Sequence, residues 1–148
     1  MWLLGEPEMM RVGEALAAIL RAGDVVTLSG PLGAGKTTLA RGLLEALGHE
    51  GEVPSPSFAL VQPYDALNPP VTHADLYRIE APEELEELGL DDALSFGALL
   101  VEWPERAGAS AWPQALALSL SIEPDGRRAL TWKVPRAWEG RWPPPLRP

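Results

Sequence analysis

A chain of 148 residues, 46% hydrophobic and 22% charged with no cysteine, fits one globular domain and excludes disulfides, zinc–thiolate sites, iron–sulfur clusters and a thiol nucleophile. Twelve basic residues against 21 acidic ones leave a net charge of -9, which argues against adhesion to nucleic acid or anionic membrane through a basic field. Only His49 and His73 could be imidazole ligands, no run nears the roughly 20 apolar residues of a membrane span, and the acidic start lacks a basic leader, so the chain reads as cytoplasmic.

From residue 6 to 21, Met9, Val12, Leu16, Ile19 and Leu20 recur at helical spacing, and Gly23 closes this first helix. Val25–Ser29 is a short β-branched run ending at Gly30, the pattern of a buried strand. Residues 37–47, rich in Leu and Ala, predict a second helix with Gly48 just past its end. Residues 50–57 form a loop with two prolines, after which 58–61 and Val71–Asp75 read as strands. Pro82 followed by Glu83, Glu84, Glu86 and Glu87 predicts a short helix that starts with negative charge. Ala98–Glu102 predicts an apolar strand ending on a carboxylate. Residues 115–122 and 128–134 flank Pro124-Asp125-Gly126 as a β-hairpin, with Arg127 and Arg128 read as solvent-facing positions just after the turn. This order predicts an α/β domain around a mixed, partly antiparallel sheet with a C-terminal hairpin. The domain is expected over residues 1–136, followed at 137–148 by a Pro/Trp-rich tail that stays extended.

The segment Gly30-Pro31-Leu32-Gly33-Ala34-Gly35-Lys36-Thr37-Thr38 satisfies GxxxxGK[ST] between a predicted strand and a predicted helix. Glycines there let the backbone fold around phosphate oxygens with N–H groups inward, and the following helix adds its positive dipole end. Lys36 supplies a point charge to the β- and γ-phosphates, and the Thr37 hydroxyl suits Mg²⁺. Such a spacing arises by chance in on the order of one chain in a hundred, and its strand–helix context makes coincidence rarer.

Glu102 ends the second apolar strand, where a P-loop domain places the carboxylate that holds the metal or its water. Trp103 follows it, at the site rim. In His73-Ala74-Asp75-Leu76-Tyr77-Arg78 the alternation puts His73, Asp75 and Tyr77 on one side; Asp75 is then a metal-water ligand or a base orienting the attacking water, or part of a polar network ordering the sheet. Ser55-Pro56-Ser57-Phe58 lies where P-loop hydrolases carry a hydroxyl that senses the γ-phosphate. Guanine-selective loops use NKxD, whereas Asn68, the one asparagine, precedes Pro69-Pro70; ATP is therefore the expected nucleotide.

Taken in order, GPLGAGKTT, SPSF, HADLYR, EELEELGLDD and VEWPE resemble the bacterial TsaE (YjeE) family. These are small P-loop ATPases required to make the threonylcarbamoyl group on adenosine 37 of tRNAs that read ANN codons. The resemblance implies a P-loop NTPase-like three-layer fold. By position it puts Leu32, Gly33, Ala34, Gly35, Lys36, Thr37 and Thr38 on the ATP phosphates, Thr37 and Glu102 on Mg²⁺, and Lys36, Asp75 and Glu102 in the catalytic roles. Ser57, where the family has Thr, keeps the switch hydroxyl, and Trp103 lines the nucleotide site. It further implies a weak Mg-dependent ATPase stimulated by partners. Those partners would be the threonylcarbamoyl-transferase subunit and its dimerising companion (TsaD and TsaB type), bound and reset according to nucleotide state, with any tRNA contact indirect.

Two other classes compete on the residues alone. A small-molecule P-loop kinase needs an Arg-rich lid, and between the phosphate loop and Glu102 only Arg41 and Arg78 are present. A nucleotide-sensing adaptor would bind ATP without turning it over.

Overall fold

The computed structural model describes residues 1–54, 60–108 and 110–144. Its strands are β1 (Trp2–Leu4), β2 (Val25–Ser29), β3 (Val61–Tyr64), β4 (Val71–Asp75), β5 (Ala98–Glu102), β6 (Leu116–Ile122) and β7 (Arg128–Lys133). They form one sheet in the order β1-β7-β6-β2-β5-β4-β3. The four central strands β4, β5, β2 and β6 are parallel, whereas β3, β7 and β1 pair antiparallel to their neighbours. The helices are α1 (Glu6–Ile19), α2 (Lys36–Ala46) and α3 (Leu90–Leu94), with 3₁₀ turns at Pro82–Leu88, Pro104–Ala107 and Arg136–Trp138.

Alternation along the strands builds two cores. Val26, Leu28, Leu100, Leu116 and Leu118 face α1 and α2 in one apolar cluster. Val25, Leu99, Val101 and Ala74 face the other way, against Leu90 of α3 and the flanking turns. Two covered faces give three layers, the α/β arrangement expected from the sequence. Over β6 and β7 the second face stays open, and there Ser119, Ser121, Thr131 and Lys133 are exposed, the polar-out pattern of an antiparallel edge.

Helix α1 starts with Pro7 in its first turn and Glu6 and Glu8 beside the positive helix end. The Glu8 carboxylate returns to accept the Gly5 N–H at 3.0 Å. The contact between α1 and α2 is backbone on backbone. A methyl added at Gly13 would lie 2.3 Å from the Leu39 carbonyl oxygen, and one at Gly42 would lie 2.4 Å from that of Met10. Only glycine permits so close an approach.

Three expectations need correction. Of the strand expected at 58–61, residues 58 and 59 lie outside the described residues; Leu60 has φ 66°, outside the extended region, and β3 opens at Val61; it continues through Pro63, tolerated because β3 is the sheet edge. The acidic helix is a 3₁₀ turn with α3 following it after Gly89. The packed domain also runs past residue 136. Trp138 is fully buried, and Trp142 packs on Trp2 and Trp132 with ring centroids 5.6 Å from each. Two indoles offer more apolar area than the prolines around them suggest, so residues 137–144 belong with the core rather than with an extended tail.

Candidate functional site

Strands β2, β4 and β5 are parallel, so their carboxyl ends meet at one edge of the sheet, where open α/β folds bind ligands. The phosphate loop leaves β2 there and enters α2 at Lys36. Gly33 and Gly35 have φ of 79° and 103°, values open to glycine that turn the backbone into a cradle. The register sets Asp75 beside Glu102 and Glu102 beside Leu28. Both carboxylates therefore arrive on the sheet face that carries α2, and both are nearly enclosed, at 3% and 2% exposure.

A cavity of about 220 Å³ is lined by Leu32, Gly33, Ala34, Gly35, Lys36, Thr37, Thr38, Asp75, Glu102 and Trp103. The structure thus brings together every predicted site residue except Ser57, which lies outside the described residues. Lys36, 5% exposed, donates from Nζ to the Gly30 carbonyl and to that of Pro31 at 3.3 Å. The same ammonium lies 4.1 Å from the Trp103 ring centroid, a cation–π contact. Burial holds the Lys36 pKa below its ordinary 10.5, against the opposing pull of Glu102, Asp75 and Glu105. A phosphate entering the cradle would add further negative charge beside this desolvated cation.

Trp103 has φ 57°, a left-handed conformation rare for a bulky residue and worth about 1–3 kcal/mol of strain. It packs against Tyr77 with centroids 4.9 Å apart and the rings tilted by 51°. Tyr77 is not on an extended strand as the alternation predicts: β4 ends at Asp75, whose Oδ1 accepts the Tyr77 N–H at 2.9 Å in a tight turn. Trp103 accordingly covers Lys36, beside the phosphate cradle. Glu102 accepts from His73 Nε2 at 2.7 Å.

Arg128 is the site-adjacent residue that sequence reasoning missed. One of its guanidinium nitrogens donates to the Gly33 carbonyl at 3.1 Å and the other to that of Gly126. It lines a second cavity, about 300 Å³, together with Leu4, Gly5, Glu6 and Met9. Both cavities share Gly33, Gly35 and Thr38, so one cleft continues from the phosphate loop to the start of α1. Arg128 and Gly33 are 95 positions apart, and no local pattern announces their contact.

A glycine cradle between strand and helix, its lysine and threonine at the helix start, and two carboxylates at the ends of neighbouring strands define a nucleotide-binding P-loop domain. Comparison with known proteins narrows this class. The profile of the family described as "Threonylcarbamoyl adenosine biosynthesis protein TsaE" matches residues 4–130. The chain is 50% identical over 100 residues to the tRNA threonylcarbamoyladenosine biosynthesis protein TsaE of Streptomyces coelicolor, covering 66% of this chain and 68% of that one. It is 36% identical over 133 residues to the protein of the same name from Bacillus subtilis, covering 88% and 83%. The crystal structure of Bacillus subtilis YdiB superposes with a TM-score of 0.75 at 32% identity, over 88% of this chain and 82% of that one. The chain belongs to the TsaE family.

Among the described residues, no helix is long and apolar enough to cross a membrane.

Proposed function

We propose that this chain is an ATP-binding and ATP-hydrolysing accessory protein in threonylcarbamoyladenosine formation on tRNA, working in the cytoplasm. The observation that carries the reading is the single cavity in which Lys36, Thr37, Asp75 and Glu102 meet at the ends of three parallel strands. Family membership supports the pathway, since the relatives are named for it.

The backbone of residues 33–38 would hold the phosphates, with Lys36 turning from the Gly30 and Pro31 carbonyls to the β- and γ-phosphates. The donor set fits Mg²⁺: Thr37 offers a hydroxyl and Glu102 a carboxylate, hard oxygens in one cavity. Among the described residues no group of three or more acidic or histidine side chains could hold a metal by itself, and Mg²⁺ commonly takes one or two protein oxygens plus substrate phosphates. When bound, the ion would neutralise charge developing on the phosphates. Asp75 would orient the attacking water or accept its proton, helped by enclosure that strengthens its field. The cavity against Leu4, Glu6, Met9 and Arg128 would take the nucleoside, and Ser57 would report the γ-phosphate to the loop before β3.

The partners in this reading are the transferase subunit and its dimerising companion, bound or released according to nucleotide state, with tRNA contacted indirectly. The test is Mg-ATP turnover by the purified chain, alone and with that pair added. Weak turnover that rises sharply in the complex is the expected result. Binding without turnover in either condition overturns the ATPase reading and leaves a nucleotide-sensing adaptor.

A further inference from the structure

His73 is a polar side chain that is completely enclosed, at 0% exposure. Its backbone is level with Leu100 on β5, and Glu102 is the next residue on that face of the strand. The imidazole bridges this diagonal, with Nε2 2.7 Å from Glu102 Oε2. A carboxylate oxygen accepts, so Nε2 is the donor of this bond. Nδ1 is buried and has no hydrogen-bond partner among the described residues.

That arrangement is a poor one for folding alone. A buried polar atom without a partner is unfavourable, and an apolar side chain like its neighbour Leu100 would fill the space without one. The Nε2–H···Oε2 bond, in contrast, has a definite effect on Glu102. The terminal torsion of a glutamate is broad and poorly determined by its own rotamer preference. Anchoring Oε2 fixes the carboxylate plane and leaves Oε1 as the oxygen free to serve the cavity.

Resting on the reading of Glu102 as the carboxylate associated with Mg²⁺, we propose that His73 is a positioning residue of the nucleotide site. Its Nε2–H holds the Glu102 carboxylate in the orientation that metal-assisted nucleotide binding requires. Groups hydrogen-bonded to a metal ligand typically contribute 10–100-fold in metal affinity, which sets the size of the expected effect.

The experiment measures ADP affinity by calorimetry, with and without Mg²⁺, for the wild type and for His73→Met, His73→Asn and His73→Gln. Gln can present an amide N–H where Nε2 stands, Asn reaches only to the place of Nδ1, and Met fills the volume without a donor. The expected result is that Met and Asn lose about 10–100-fold of the Mg²⁺-dependent gain in affinity, bind Mg-free ADP like the wild type, and are matched by Gln restoring the gain. A purely structural role would lower thermal stability and leave the Mg²⁺ dependence unchanged. If the Met variant does not fold, the contrast between Gln and Asn decides, since both carry an amide. Wild-type Mg²⁺ dependence in the Asn variant overturns the proposal. Absence of any Mg²⁺ effect in the wild type overturns instead the reading of Glu102 on which it rests.

Discussion

Asp24 and Arg141 stand 117 positions apart in the chain and meet through both terminal guanidinium nitrogens, at 2.5 and 3.2 Å. Arg141 also donates to the Ile19 carbonyl at 2.7 Å, satisfying an end group of α1, and its guanidinium lies 4.2 Å from the Trp138 ring centroid. Both partners are largely shielded, at 13% and 11% side-chain exposure. Removing one partner of such a pair strands the other. Arg141→Ala is expected to destabilise the chain by about 2 kcal/mol, or roughly 6 °C in Tm. A double-mutant cycle with Asp24→Ala checks it; additive effects would show that the pair contributes nothing beyond its separate packing.

Burial disfavours the charged form of Lys36, so the unfolded chain holds that proton more tightly than the folded one. The penalty is fully present below the lowered pKa and fades as pH rises towards the ordinary value of 10.5. Lys36→Met removes it. Denaturant melts from about pH 7 to pH 10 are expected to shift the stability difference between the two proteins in the wild type's favour as pH climbs. The same variant should lose nucleotide binding at least tenfold, because a charge-assisted phosphate contact is gone. A pH-independent difference between the melts would contradict the desolvation argument.

Thr37 and Asp75 line one cavity yet should fail differently. Thr37→Ala is expected to abolish the Mg²⁺ enhancement of nucleotide affinity while leaving Mg-free binding intact. Asp75→Asn should keep affinity within about threefold and lower turnover by 10²-fold or more, the range of a general base or water-orienting group. Parallel calorimetry and phosphate-release assays separate the two patterns. Equal loss of affinity in both variants would assign Asp75 to binding instead.

Arg128 holds the hairpin turn against the phosphate loop through Gly33. Arg128→Ala is expected to weaken nucleotide binding about tenfold, near 1.4 kcal/mol, and to leave Tm within about 2 °C, as for other half-exposed positions. Titration with ADP reports the first quantity and thermal melting the second.

What the sequence made legible is what lies close together along the chain. The strand–loop–helix unit around Lys36 carries its own spacing, and Glu102 stands out because an apolar run stops on a charge. Pairings across the sheet are another matter. His73 and Glu102 meet because β4 and β5 are parallel in one particular register, and nothing in either segment encodes that register alone. Arg128 looks like one more polar residue after a turn until the hairpin is seen lying against Gly33. At the C-terminus, prolines dominate the composition, whereas the packing is decided by Trp138 and Trp142. Trp142 could not be weighed without the indoles of Trp2 and Trp132 that receive it.

The contact of α1 with α2 has a consequence for the cleft itself. Gly13 and Gly42 put main chain against main chain, with no intervening side chains to compress or rearrange. One helix begins at Glu6, which lines the cavity beside Arg128, and the other at Lys36, which lines the adjoining phosphate-loop cavity. The helix pair therefore acts as a caliper whose jaws are these two starts. In the proposed reading, the gap that a nucleoside would fill is gauged about two turns away, at Gly13 and Gly42.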